Sequence, residues 1–212
     1  MSAPRLAPTR ANLLRARREL ERVRHGAALI RRKREALVAE LFRAARPAMD
    51  LRERIARSAT LATEALLDAL AVHGVQGLTV AAWPGRSVEL ELRAAQVWGI
   101  PVAEVVSRPA LARGLEARGA APALTGPATT TAATRYEELA DLLIEAAPRE
   151  QLVRRLGDAV SRATRQMRTL EQRVAPSLAR QVSRVRRELD EREREDRLRL
   201  KHLRHARWPA TP

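Results

Sequence analysis

The chain has 212 residues, of which 45% are hydrophobic, 31% charged and only 2% aromatic. That is long enough for one modest domain but poor in the rings that usually fill an enzyme core. Cysteine is absent, which excludes disulfides, thiolate metal sites and a cysteine nucleophile and favours an intracellular setting. The net charge is +15, and of the 40 basic residues only Lys33 and Lys201 are lysines.

Charge divides the chain into three. Residues 1–70 hold 16 basic and 8 acidic side chains, residues 71–148 hold 6 and 8, and residues 149–212 hold 18 and 9. Seven of the nine glycines fall in the middle part. The pattern is two basic helical arms flanking a different central piece, with boundaries expected at 1–10 (tail), 11–72 (first arm), 73–134 (centre), 135–206 (second arm) and 207–212 (tail). Residues 1–10 carry no apolar run of signal length, and no stretch approaches the roughly 20 apolar residues that cross a bilayer.

In the first arm a seam runs from Leu13, Ala16, Leu20, Val23 and Ala27 through Leu37, Leu41, Ala44, Ala48 and Leu51 to Ala62, Ala65 and Ala69, broken only by Arg34 and Ser58. Steps of three and four over seventeen positions mark a coiled-coil seam. At about 1.5 Å per residue, a helix over 11–72 would be roughly 90 Å long, a rod rather than part of a globule. The fold class expected is therefore mainly α: a long antiparallel two-helix coiled coil of the terminal arms, with a small centre.

The centre offers Ser87 to Arg93, which alternates apolar and charged residues as a half-buried strand does, and Val102 to Val106 as its partner. The turn residues of 97–101 predict a hairpin whose loop is longer than a two-residue turn. Gly119 to Thr134, rich in Ala, Pro and Thr, reads as loop, and Tyr136 to Ala147 as a helix that Pro148 interrupts or restarts.

The second arm repeats the seam at Leu156, Val160, Ala163, Met167, Leu170, Val174, Leu178, Val182, Val185 and Leu189, with a more polar continuation to Leu200 and Leu203. Three successive four-residue steps between Leu170 and Val182 lengthen the period. Pro176 lies in that stretch, and in a flush antiparallel pairing it would sit near Pro47, so the two prolines predict one shared helix bend.

Neither lysine is followed by a hydroxyl residue, so the phosphate-binding loop signature is absent. His202 and His205 share a helical face without an evident third ligand, so no metal is assigned. Four of the six carboxylates from Glu188 to Asp196 precede an arginine by four, Glu188 with Arg192, Asp190 with Arg194, Glu193 with Arg197 and Glu195 with Arg199, the dressing of a solvated helix rather than acid/base machinery. The main rival reading is a basic coiled coil on nucleic acid. Against it, the arginines are interleaved with acids and the basic segments 1–70 and 149–212 lack aromatic stacking residues apart from Phe42 and Trp208.

Several runs together resemble a known family. Pro8-Thr9-Arg10, Asn12-Leu13, Gly26 and Arg31-Arg32-Lys33-Arg34-Glu35-Ala36-Leu37 are similar to the amino-terminal helix of the D subunit of the V-type and A-type rotary ATPases. Leu170-Glu171-Gln172, Pro176, Glu191-Arg192-Glu193-Arg194-Glu195-Asp196 and Arg199-Leu200-Lys201 resemble its carboxy-terminal run, and Val97-Trp98-Gly99 with Pro101 its centre. Arg168-Thr169 departs from the family's Asn-Ala, and Pro47 lies outside its pattern. The resemblance implies a central-stalk rotor shaft with no catalytic residue and no cofactor. It would turn inside a ring of catalytic and regulatory nucleotide-binding subunits, coupling ion translocation to ATP synthesis or hydrolysis. It would also bind a small companion rotor subunit and a funnel-like subunit leading to the membrane ion ring. On this reading the protein is cytoplasmic and peripheral to the membrane, and Arg10, Arg31, Arg32, Lys33, Arg34, Glu191, Arg192, Arg194, Asp196 and Lys201 are the candidate ring and partner contacts.

Overall fold

A computed structural model describes residues 7–81, 87–114 and 126–207, the last three without their side chains. The element order is α1 (Arg10–Ala81), β1 (Glu91–Val97), β2 (Ile100–Ser107), α2 (Pro127–Thr169), a π-helical turn (Leu170–Val174) and α3 (Ala175–Arg207). Two compact units divide it: Met1–Ala36 with Ser161–Pro212, and Leu37–Val160.

The first helix starts where its cap dictates. The Thr9 hydroxyl accepts from the Asn12 amide at 3.2 Å, the Thr9 carbonyl accepts from the Leu13 amide at 3.0 Å, and the Asn12 side chain donates to the Ala7 carbonyl at 3.0 Å. Thr9 thus satisfies donors that an uncapped helix end would leave open. Every seam position expected in α1 is buried or half-buried, and Ala62 and Ala69 are fully so. Helical geometry is broken at Gly74, with φ 64° and ψ 174°, two residues beyond the expected end, and then resumes to Ala81. A left-handed φ is one that glycine adopts at little cost.

In the first unit the pairing of α1 with the carboxy-terminal helix is antiparallel. Arg10 meets Glu193 at 2.7 Å, and Arg31 meets Glu171 at 2.5 Å. Ala16, Leu20 and Ala27 on one side and Ala163 and Val185 on the other are buried. The polar continuation stays outside: Leu200 and Leu203 are exposed. The lengthened period takes a specific form, because the Ala175 amide donates to the Leu170 carbonyl, five residues back, and closes a π turn. One extra residue in the turn keeps Leu170, Val174 and Leu178 on one face at four-residue steps. Pro176, which has no N–H, falls in the turn that follows.

In the second unit Arg52 meets Glu150 at 2.7 Å, again antiparallel. The core is Leu37, Ile100, Leu156 and Ala159, with Leu41, Ala44, Leu152 and Val160 against it. These pairings place each proline of the expected bend within its own unit. Arg52 with Glu150 puts Pro47 opposite the turn around Arg155, whereas Arg31 with Glu171 puts Pro176 opposite the turn around Gly26. Pro47 and Pro148 both lie inside continuous helices, so Pro148 neither interrupts nor restarts α2.

The hairpin also departs from expectation. Residues 87–90 are not in a strand, β1 begins at Glu91, and the turn has two residues, Trp98 and Gly99, with Val97 paired to Ile100. Both turn residues have positive φ, 53° and 76°, as in a type I′ turn. The alternation at 87–93 misleads because that segment is exposed on both faces, while burial falls on Ile100 and Val102 of β2. Replacing Gly99 with alanine forces a side chain into the left-handed region and is expected to cost about 1–2 kcal/mol, read as a lower urea midpoint.

Part of the expected loop at 119–134 is helix. Gly126 caps α2 by accepting from the Thr130 amide at 3.1 Å, and Pro127 occupies the first position. The hydroxyls of Thr130, Thr131 and Thr134 donate to carbonyls four residues back, so threonines that suggest loop are absorbed by the helix. The rest of that loop and the tail with Trp208 lie outside the described residues.

Candidate partner-contact surface

All ten candidate contact residues fall in the first unit. The structure separates them by what they already hold. Arg10 and Arg31 bridge to the opposite helix, and Arg192 donates to the Pro8 carbonyl at 3.5 Å. Arg194 pairs with Glu191 at 3.2 Å on its own helix. Arg32, Lys33, Asp196 and Lys201 are exposed, and Arg34 is half-buried in the seam with its Nε enclosed and without a hydrogen-bond partner.

Three of the ten therefore also fasten this unit together. Their partners Glu171 and Glu193 do not stand out in the sequence as cross-helix residues, because the offset between the arms cannot be read from either arm alone. Of the four same-helix pairs expected, Glu193 with Arg197 forms at 3.7 Å and Glu195 with Arg199 at 4.0 Å. The other two give way, since Asp190 turns back to Arg186 at 3.9 Å, Arg194 takes Glu191, and Arg192 reaches Pro8. Such exposed pairs are worth only about 0–1 kcal/mol each, which leaves the surface exchangeable.

The Arg10–Glu193 contact also shifts titration. The hydrogen bond from Arg10, and then its charge, hold the Glu193 carboxyl below its usual range and raise the guanidinium; Glu150 does the same to Arg52. A depressed carboxyl gives stability that is fully present above the unfolded value, near 4.3, and is lost as pH falls through the folded value. Amide exchange in the first turn of α1 should therefore quicken, beyond the intrinsic pH effect, on acidification below about pH 4. Glu193→Gln should remove that dependence.

Among the described residues no group of three or more His, Asp or Glu is placed to hold a metal, and no helix is long and apolar enough to cross a membrane. His73 carries no signal in the sequence. Its ring packs against Gly126, where an added Cβ would lie 2.6 Å from Nε2, and that nitrogen is enclosed without a partner.

Comparison with known proteins agrees with the arrangement. The family model described as the ATP synthase D subunit matches residues 12–205. The chain is 37% identical to the D subunit of the V-type ATP synthase of Anaeromyxobacter dehalogenans, over 97% of this chain and 98% of that protein. It is 35% identical to the V-type D subunit of Thermus thermophilus, over 93% and 87%, and 30% identical to the A-type D subunit of Pyrococcus furiosus, over 94% and 93%. With a match across nearly its whole length, the chain belongs to the D-subunit family of the ATP synthases.

Proposed function

We propose that this protein is the non-catalytic central-stalk rotor of a V/A-type ATP synthase, coupling ion translocation across the membrane to ATP synthesis or hydrolysis by turning inside the nucleotide-binding ring. The observation that carries the reading is the first unit. Its apolar seam is satisfied between its own two helices, and its outer surface carries charges held in short-range, exposed pairs. A large apolar interface would lock one angle, whereas weak polar contacts can be exchanged as the surface passes successive neighbours. Work is done by differential contact: each angular position favours one conformation of each surrounding subunit.

On this reading the partners are the catalytic and regulatory ring subunits, a small companion rotor subunit and a funnel-like subunit above the membrane ion ring. The protein sits peripherally at the cytoplasmic face of the membrane. Arg32, Lys33, Asp196 and Lys201, exposed and outside the cross-helix bridges, are the strongest of the contact residues.

The test is purification of the tagged chain from its native membranes after gentle solubilisation, with partners identified by mass spectrometry. Ring subunits together with a membrane ion-ring subunit are expected. Recovery of nucleic acid or chromosome-associated proteins without ATPase subunits would replace the rotor reading with the nucleic-acid one.

A further inference from the structure

The second unit contains a groove of about 530 Å³ between β2 and α2, within the range of about 300–1,000 Å³ typical of binding clefts. Five consecutive residues, Val102 to Val106, line one wall. A strand that lines a groove with successive residues presents its edge, not a face, since side chains on one face alternate.

The pairing says what that edge offers. In a two-residue hairpin the pair flanking the turn exchanges both hydrogen bonds and the pattern then alternates. Val97–Ile100, Ala95–Val102 and Arg93–Glu104 are therefore the bonded pairs, and Pro101, Ala103 and Val105 point their backbone groups away from β1. Pro101 has no N–H to offer, and its carbonyl accepts from the Arg155 side chain, which closes the turn end of the groove. Ala103 and Val105 each present an outward N–H and C=O.

The opposite wall is Ile144, Pro148 and Leu152, at four-residue steps on one face of α2. Pro148 donates nothing to the Ile144 carbonyl. Four charged residues also line the groove, and each is already paired. Arg108 holds Asp141 at 3.0 Å, Arg149 holds Glu145 at 3.0 Å, and Glu104 meets Arg93 at 3.3 Å. With its charges neutralised internally, the groove matches an uncharged occupant.

We infer that this groove takes an extended, uncharged strand of a partner polypeptide, added to the free edge of β2 through the backbone of Ala103 and Val105, with its apolar side chains against Ile144 and Leu152. Strand addition of this kind draws affinity from main-chain hydrogen bonds and selectivity from the alternate side chains. Unpaired edges invite such pairing, and here Arg155 at one end and Arg108 at the other limit it to about 16 Å, five residues of strand. The inference goes beyond the rotor reading, which says nothing of this edge.

The test is hydrogen exchange read by mass spectrometry with single-residue resolution, on the isolated chain and on whatever assembly the tagged chain brings from its membranes. Ala103 and Val105 amides should exchange at least tenfold slower in the assembly, while Val102 and Glu104 stay protected in both. Ala103→Pro deletes one outward N–H at a position that gives β1 no hydrogen bond, so the hairpin is kept. It should weaken rejoining of the variant with the stripped assembly at least tenfold, with Val102 and Glu104 still protected. Equal exchange at 103 and 105 in an intact ATPase would overturn the strand and leave the rotor reading standing, as would protection confined to α2. Protection in the concentrated isolated chain that vanishes on dilution would make a second copy the occupant and overturn the proposal. If no assembly retains the chain, both readings fall.

Discussion

Truncating Leu156 to alanine is expected to destabilise the Leu37–Val160 unit by about 2–5 kcal/mol, the range for deleting a large buried aliphatic side chain. Leu156 is fully buried and sits with Leu37, Ile100 and Ala159, so it joins residues from α1, α2 and the hairpin. The cavity should therefore also loosen β2, and exchange at the Ile100 amide should rise with the fall in urea midpoint. Phe42, although the only phenylalanine in the chain, is 72% exposed. Phe42→Ala should move stability by no more than about 0.5 kcal/mol. Equal midpoints for the two variants would contradict the placement of the core.

The second large effect belongs to the other unit. Val185 is fully buried in the seam, at the level of Ala16 and Leu20 by the register of Arg10 with Glu193 and Arg31 with Glu171. Val185→Asp puts a carboxylate there without a partner, which costs more than about 3 kcal/mol. The helices of this unit should separate locally, seen as loss of amide protection at 182–189 and along 13–20. On the proposed rotor reading, the same variant in the assembled complex should hydrolyse ATP with little coupled ion movement, because a surface that has lost its shape cannot favour one neighbour over another. Val185→Ala keeps the site apolar and should retain coupling. Protection unchanged in Val185→Asp would mean that the seam does not hold this unit.

The seam was legible because burial along a coiled coil follows the sequence period directly. All seventeen positions expected in α1 and all ten from Leu156 to Leu189 are buried or half-buried, including Arg34, whose long stem lies in the seam. The offset between the arms was not legible, since Ala-rich seams pack at many registers. It is marked by Arg10 with Glu193, Arg31 with Glu171 and Arg52 with Glu150, pairs more than ninety residues apart in sequence. Three four-residue steps signal an irregularity near Pro176, and the backbone resolves it as an extra residue in a π turn. Trp98 in a left-handed turn position could not be foreseen from propensity, because tryptophan avoids that region unless the strands on either side hold it there. Of the candidate contacts, charge and resemblance locate the unit; which of them fasten it from within emerges only from the pairings.

On the proposed reading this protein turns inside its complex. The most direct test is single-molecule observation of the purified, surface-immobilised complex, with a probe attached to this chain through a cysteine introduced at an exposed hairpin position; the chain has no other. Addition of ATP should drive continuous rotation of the probe in one direction, while the same probe on a nucleotide-binding ring subunit stays still. A probe that remains stationary on this chain while the complex hydrolyses ATP at its normal rate would contradict the account.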